Sequence, residues 1–378
     1  MAQVAYTLYI DDAPARADLI DVIQRLEVED HADMADMVRL SVAIAIKDGC
    51  GSWNVVDQNT FQRLTKLRIS VNVGSGKTEP LIEAYVIQTS ADFANQPGQS
   101  VLNVVAMEPT VKMNLKETVR AWPNMTDSAI AEEIFTGPDY KFGTEIDSTQ
   151  PTRDEDDHTE MQRGTDIQFL QSLAQRNGFE CYVELNPESG IVEGHFHKPR
   201  LQQSPQGVLT VNMGDATNVN SFQANFDMLQ ATTAKAANVD VHSSDQQSSD
   251  SDSAEDKSLG STTTVPADNP RQVLLSGTGL SDTGELQTAA QAEVDRSAFA
   301  ITAEGEVNTV AYGDVLRAKR PVLVRGAGKQ FSGLYYVQRV THTFTGDGYT
   351  QHFSLKRNAA GLTGQENFVQ DGALPSPS

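Results

Sequence analysis

Gly333-Leu-Tyr-Tyr-Val-Gln-Arg-Val-Thr-His342, then Gly346-Asp-Gly348, then Tyr349-Thr-Gln-His-Phe-Ser-Leu-Lys-Arg-Asn358 is the stretch on which the fold turns. In the return segment Tyr349, Phe353 and Leu355 share one parity, while Thr350, His352, Ser354 and Lys356 hold the other. A period of two marks a strand with one face buried and one face wet. Two such runs joined by a Gly-Asp-Gly connection read as a β-hairpin. A β-domain therefore closes near the C-terminus, with Tyr336, Val340, Tyr349, Phe353 and Leu355 expected in its core.

The same alternation fills the first hundred residues. Val4, Tyr6, Leu8 and Ile10 lead to an Asp11-Asp12-Ala-Pro14 turn, and Val38, Leu40, Val42, Ile44 and Ile46 keep one parity. Leu67, Ile69, Val71 and Val73 repeat it, and Tyr85-Val86-Ile87 and Val101 to Met107 supply two more strands. Several strands with polar turns favour a sandwich or small barrel over a βαβ fold.

Two short helices follow. Asp127-Ser128 opens Ala129 to Phe135, and Gly137-Pro138 stops it. Thr165-Asp166-Ile167-Gln168 has capping-box spacing, with Thr165 the cap and Gln168 reaching back. Ile167, Leu170, Leu173 and Ala174 make the apolar stripe, and Asn177-Gly178 ends the helix. Strand-like Phe179 to Leu185 then turns at Asn186 to Gly190 into Ile191 to Phe196. The run His242 to Asp256 has no apolar residue larger than alanine, so it reads as a mobile inserted loop. A third helix, Gly284 to Ala300, precedes strands at Ile301 to Val310 and Val322 to Arg325, with a turn at Tyr312-Gly313-Asp314 between them.

The fold class is β-rich α+β, with two barrel-like β-domains around a small helical α+β middle. The divisions are 1–115 for the first barrel, 116–237 for the middle, 238–268 for the acidic and Ser-rich loop, 269–360 for the second barrel, and 361–378 for a loose tail.

A net charge of −22 argues against gripping nucleic-acid phosphates or anionic membrane, both of which need clustered Lys and Arg. An acidic wall would instead suit a channel whose contents must not stick. No apolar run is long enough for a transmembrane helix, and Met1-Ala-Gln-Val-Ala-Tyr6 carries no basic leader, so neither membrane insertion nor a secretory signal is expected. Cys50 and Cys181 cannot build a disulfide scaffold or a metal-binding cysteine set and read as small hydrophobes.

Candidate sites reduce to few. Gly74-Ser-Gly76-Lys77-Thr78 resembles the end of a phosphate loop, but Val71 stands where the first glycine belongs and Glu79-Pro80 precedes another strand. It reads as a hairpin turn. His195-Phe196-His197 puts two imidazoles on one side of a strand, a geometry open to zinc or copper with a third ligand such as His158 or the Asp154 to Asp157 run. The simpler reading, a solvent-facing pair and no metal, is the one adopted. Asp250-x-Asp252 lacks the glycine and glutamate of a calcium loop, and no Gly-x-Ser-x-Gly elbow exists. No catalytic residue and no cofactor are assigned.

The closing hairpin, of form Gly-x-Tyr-x-Val-x-x-Val-x-His then Gly-Tyr-x-x-x-Phe-x-Leu-x-Arg-Asn, resembles the ending of phage late-control (tail baseplate hub) proteins and of the hub portion of VgrG-type proteins. Thr165-Asp166-Ile-Gln-Phe169-Leu170-x-x-Leu173-Ala174-x-x-Asn177-Gly178 looks like their typical internal motif. The segment holding Gly313 and Asp314 resembles the entry to their second barrel, while Ala84 stands where they commonly have glycine. The resemblance implies a non-enzymatic homotrimer whose six quasi-equivalent barrels adapt a hexameric tail tube to a trimeric spike and line the channel. Its partners would be tube protein, spike protein and baseplate wedge components, in a virion or a contractile particle assembled in the bacterial cytoplasm. VgrG-type chains continue into a needle, whereas this sequence stops at Ser378, so the spike is expected as a separate polypeptide. The rival classes are a soluble β-rich module for polysaccharide or other ligands and a tail-associated cell-wall hydrolase. Only Trp53 and Trp122 are available for sugar stacking.

Overall fold

The computed structural model describes residues 5–47, 51–73, 78–96, 98–150, 159–239, 246–276 and 283–368. The fold is β-rich with a large antiparallel sheet and few helices, the class expected from the alternation.

Thirteen strands form the main sheet. From one edge the order is Val219–Phe226, Ile301–Val307, Gly348–Arg357, Gly333–Thr345, Ile23–His31, Met37–Ala43, Val101–Met107, Thr78–Asp92, Lys66–Asn72 and Ala5–Ile10, ending at Ala13–Pro14. Pro321–Arg325 also pairs with Gly333–Thr345, and Val208–Thr210 joins it in parallel. The two β-blocks are thus continuous through one long strand, because Arg339–Thr345 pairs with Arg25–His31.

Two apolar cores lie along this sheet. The first gathers Leu26, Val38, Leu40, Val42, Leu67, Ile69 and Val104; the second gathers Ile301, Val322, Tyr335, Val337, Val340, Phe353 and Leu355. Phe344 and Tyr349, at the hairpin tip, pack in the first core, with rings 4.3 Å apart and parallel within 1°. The hairpin therefore fastens both cores. Its loop is two residues, Gly346-Asp347, since Thr345 pairs with Gly348.

Ile46, on the parity of Val38, Leu40, Val42 and Ile44, is 54% exposed, because that strand ends at Ala43 and Ile46 begins a separate short pairing opposite Trp53. The Tyr312-Gly313-Asp314 turn is the end of a short helix, Thr309–Tyr312, capped by Asn308 and closed by Gly313 at φ 75°. Gly74 to Lys77, Cys50 and Asp154 to His158 lie outside the described residues, although the strands flanking the glycine turn pair as a hairpin and Thr78 begins a strand.

The acidic, Ser-rich run departs most from expectation. Gln246–Ser251 is a strand paired with Thr232–Val239, which also pairs in parallel with Arg271–Ser276. Ser249 and Ser251 bond Gln287 and Gln291 of the helix Thr283–Ser297, and the amides of Glu255 and Asp256 donate to Asp295. Beneath lie Ala234, Ala236, Leu286, Ala290 and Val294. Polar pairing and a small-residue core order the described part of this segment, in place of the large apolar side chains whose absence suggested mobility. The buried Arg357 donates to the carbonyls of Leu259 and Ser332, and Asn358 bonds both Leu259 and Lys257, pinning the end of the insertion.

Candidate functional site

The middle unit is built on the sheet Gly143–Ile146, Val192–His197, Glu180–Leu185. Gly143–Ile146 runs parallel to the histidine strand with Glu145 opposite His195, and Glu180–Leu185 runs antiparallel with Tyr182 opposite His195. Since partners across a sheet share a face, one face carries Val183, Gly194 and Phe196, and the other carries Glu180, Tyr182, Glu184, Glu145, His195 and His197.

Two helices cover the apolar face. Asp127–Thr136 brings Ile130, Ile134 and Phe135, and Asp166–Asn177 brings Ile167, Phe169, Leu170 and Leu173, all buried with Val183 and Phe196. Thr126 caps the first helix by accepting from the Ala129 amide. Thr165 stands at the cap of the second, but its hydroxyl donates to Asn114 at 2.9 Å, so the capping box does not form. Asp166 instead accepts from Gln162 and Tyr140, at 2.6 and 2.7 Å. Gly178 ends the helix at φ 67°, and Arg176 and Asn177 both donate to Asp127, joining one helix's end to the other's start.

The other face is polar, and its two histidines are buried as well. His195 and His197 are 3% and 1% exposed, which corrects the solvent-facing reading. The cause is docking against the β-blocks: Tyr336 donates to Glu180 at 2.5 Å, and Lys319 reaches across to Glu184 at 3.9 Å. Lys319 itself is 4% exposed and bonds Asp30 at 2.8 Å and Asp36 at 2.9 Å. One ammonium thus links the first block, the middle unit and its own second block.

Burial pushes the Asp30 carboxyl up, but the Lys319 charge and hydrogen bond outweigh it and bring it down to about 2. Burial, reinforced by the Asp30 charge, takes Asp36 up to about 7 against the pull of Lys319. Lys319 thus holds Asp30 ionised, while Asp36 keeps its proton more tightly than a free carboxyl does. Beside it a cavity of about 430 Å³ is lined by Glu145, Tyr182, Glu184, His195, Arg200 and Lys319.

Glu145, His195 and His197 place one donor atom each within 4.8 Å of one another. His195 Nδ1 lies 3.3 Å from His197 Nε2 and 3.5 Å from a Glu145 oxygen. Sequence reading paired the histidines but sought the third group at His158 or the Asp154 run. Glu145 escaped because only parallel pairing, invisible in sequence, brings it opposite His195. Lys319, Asp30 and Asp36 were missed as well, and nothing in Arg317-Ala-Lys319-Arg320 distinguishes a buried cation from a wet one.

The residues taken from the resemblance lie apart from this cluster. Gly313 closes the short helix, and the Asp314 carbonyl accepts from Gln351 at 3.0 Å. His342 is fully buried with its Nδ1 2.7 Å from the Tyr349 hydroxyl, and burial drives its pKa down to about 3. Tyr336, Val340, Tyr349, Phe353 and Leu355 are buried, as are Phe169, Leu170 and Leu173.

The architecture is that of phage tail proteins. The tail protein from Neisseria meningitidis MC58 superposes with a TM-score of 0.65 over 94% of this chain and 97% of its own, at 11% identity. The 43 kDa tail protein of prophage MuSo2 from Shewanella oneidensis gives 0.65 over 94% and 99%, at 13% identity. An Escherichia coli component of the type VI secretion system, described as structurally similar to T4 tail proteins gp27 and gp5, gives 0.57 over 93% and 76%, at 11% identity. At such identities these are likenesses of fold. The family model of the Alg8 N-terminal domain matches residues 21–346, and the chain belongs to that family. No curated protein matches the sequence. Among the described residues no helix is long and apolar enough to cross a membrane.

Proposed function

We propose that this chain is a structural baseplate hub of a contractile tail or tail-like injection particle, of the late-control kind, acting by assembly and not by catalysis. One observation carries the reading: the fold runs end to end with two tail proteins, over 94% of this chain and at least 97% of theirs. In this reading the two apolar cores mark two barrel-like domains, near 1–115 and 269–360, with the α+β unit between them. Three chains would then offer six similar domains to a hexameric tube and a threefold seat to a separate spike. The net charge of −22 suits an inner wall that passes acidic cargo without holding it.

The test is mass by light scattering with negative-stain imaging. A ring at three times the 41.0 kDa chain mass is the expected result. A chain that stays monomeric in the presence of its tube and spike proteins would remove the reading.

A further inference from the structure

We propose that Glu145, His195 and His197 bind one divalent transition-metal ion, zinc by the chemistry of the donors, which ties the edge strand Gly143–Ile146 to the histidine strand. Two imidazole nitrogens and one carboxylate oxygen converge from two strands, and their separations of 3.3 and 3.5 Å are already those of a coordination shell. In a tetrahedral zinc site with bonds of about 2.0–2.2 Å, neighbouring donors stand about 3.3–3.6 Å apart. Both separations from His195 meet that, and the third pair, Glu145 and His197, lies within 4.8 Å.

The surroundings orient each donor. His197 Nδ1 donates to the Lys198 carbonyl at 2.8 Å, which leaves the Nε2 lone pair facing His195 and the Tyr182 hydroxyl. Such a carbonyl contact is how proteins fix the tautomer of a ligating histidine. Arg200 holds one oxygen of Glu145 at 2.8 Å and leaves the other turned to His195. The Tyr182 ring stacks on His195 at 4.4 Å and 8°, fixing its plane.

His195 supplies the independent observation. Its Nε2 is buried and has no hydrogen-bond partner. Without an ion, Nδ1 must carry the proton to bond His197, and Nε2 is left as a buried lone pair 3.8 Å from a Glu184 oxygen. With zinc on Nδ1 the proton moves to Nε2 and faces that carboxylate. The ion thereby replaces a buried lone pair that the nearby carboxylate repels with an N–H that it attracts. Three protein donors leave a fourth position for water or the Tyr182 hydroxyl.

The experiment uses full-length, tag-free protein purified without chelator. Elemental analysis is expected to find one zinc per chain, and cobalt exchanged into the site should give the visible absorption of a tetrahedral centre. His197→Ala and Glu145→Gln should each abolish stoichiometric zinc, and Glu184→Gln should weaken zinc binding by about tenfold, as removal of an outer partner does. Glu145 is 45% exposed at its side chain, so Glu145→Gln remains readable if the histidine variant does not fold. Metal-free wild-type protein that takes up no Zn²⁺ on titration would overturn the site. So would zinc retained unchanged by Glu145→Gln and His197→Ala, which would place the ion elsewhere. Neither outcome depends on whether the chain forms a hub.

Discussion

The two faces of the Glu180–Leu185, Val192–His197 sheet are buried to a similar degree by opposite means. On one, Val183 and Phe196 are fully buried against Phe135, Leu170 and Leu173. On the other, Glu180 at 7%, His195 at 3% and His197 at 1% face a seam of tyrosines, carboxyls and Lys319. The apolar face gains stability from area alone and tolerates small shifts, because burial is non-directional. The polar face gains little net energy from desolvated charges, yet it accepts only the placement that pairs each one. The apolar face holds the middle unit together, and the polar face specifies how that unit sits on the β-blocks.

The comparison breaks most sharply at Lys319. Lys319→Met leaves Asp30 and Asp36 facing each other without their ammonium, and removal of one partner from a buried set costs about 3–5 kcal/mol. Thermal unfolding should show that loss, and adding Asp30→Asn should return much of it by removing the stranded charge. A Lys319→Met protein as stable as wild type would show that the seam carries no such penalty. On the apolar face Leu173→Ala, at a residue 1% exposed, should cost about 3 kcal/mol through the cavity it opens, measured by denaturant unfolding. No second substitution in the seam should rescue it.

Legibility divides along the same line. The closing hairpin, the helix stripe Ile167, Leu170, Leu173 and the strand parities were readable because period and burial coincide there. Glu180, Tyr182 and Glu184 alternate as a wet face would, and the sequence holds no sign that another domain covers them. His195 and His197 were visible as a pair, but parallel pairing with Glu145 is a non-local fact. Thr165 has the spacing of a capping box, yet Asn114 takes its hydroxyl, since a tertiary partner outcompetes the local one. Gln246–Ser251 failed for a different reason: hydrogen bonds to Gln287 and Gln291 order it where apolar burial could not.

Gly194 sharpens the contrast at a single residue, since it belongs to the histidine strand but opens onto the apolar face. A Cβ there would stand 2.4 Å from the Phe135 ring. Gly194→Ala should therefore cost about 2 kcal/mol by overpacking, read as a lower unfolding midpoint. Pairing it with Phe135→Leu should recover part of the loss. If Gly194→Ala is neutral, the helix layer is looser than its burial suggests.

The last effect is one of pH, and it concerns the two carboxyls that share Lys319. Asp36 is raised from 3.8 to about 7, so the folded chain binds this proton more tightly than the unfolded chain does. Stability from this group is present below about pH 4 and is lost as pH rises toward 7, after which it stays level. Asp30, lowered to about 2, has the opposite sign, and its contribution is lost only as pH falls from 3.8 through 2. The windows do not overlap. Asp36→Asn keeps an oxygen for the His31 amide, which Asp36 accepts at 2.7 Å, but cannot titrate. Relative to wild type it should gain stability as pH rises from 4 toward 7, measured as the difference between the two unfolding curves. A difference that stays flat from pH 4 to 8 would mean that Asp36 does not hold the extra proton and that both carboxyls are ionised beside Lys319.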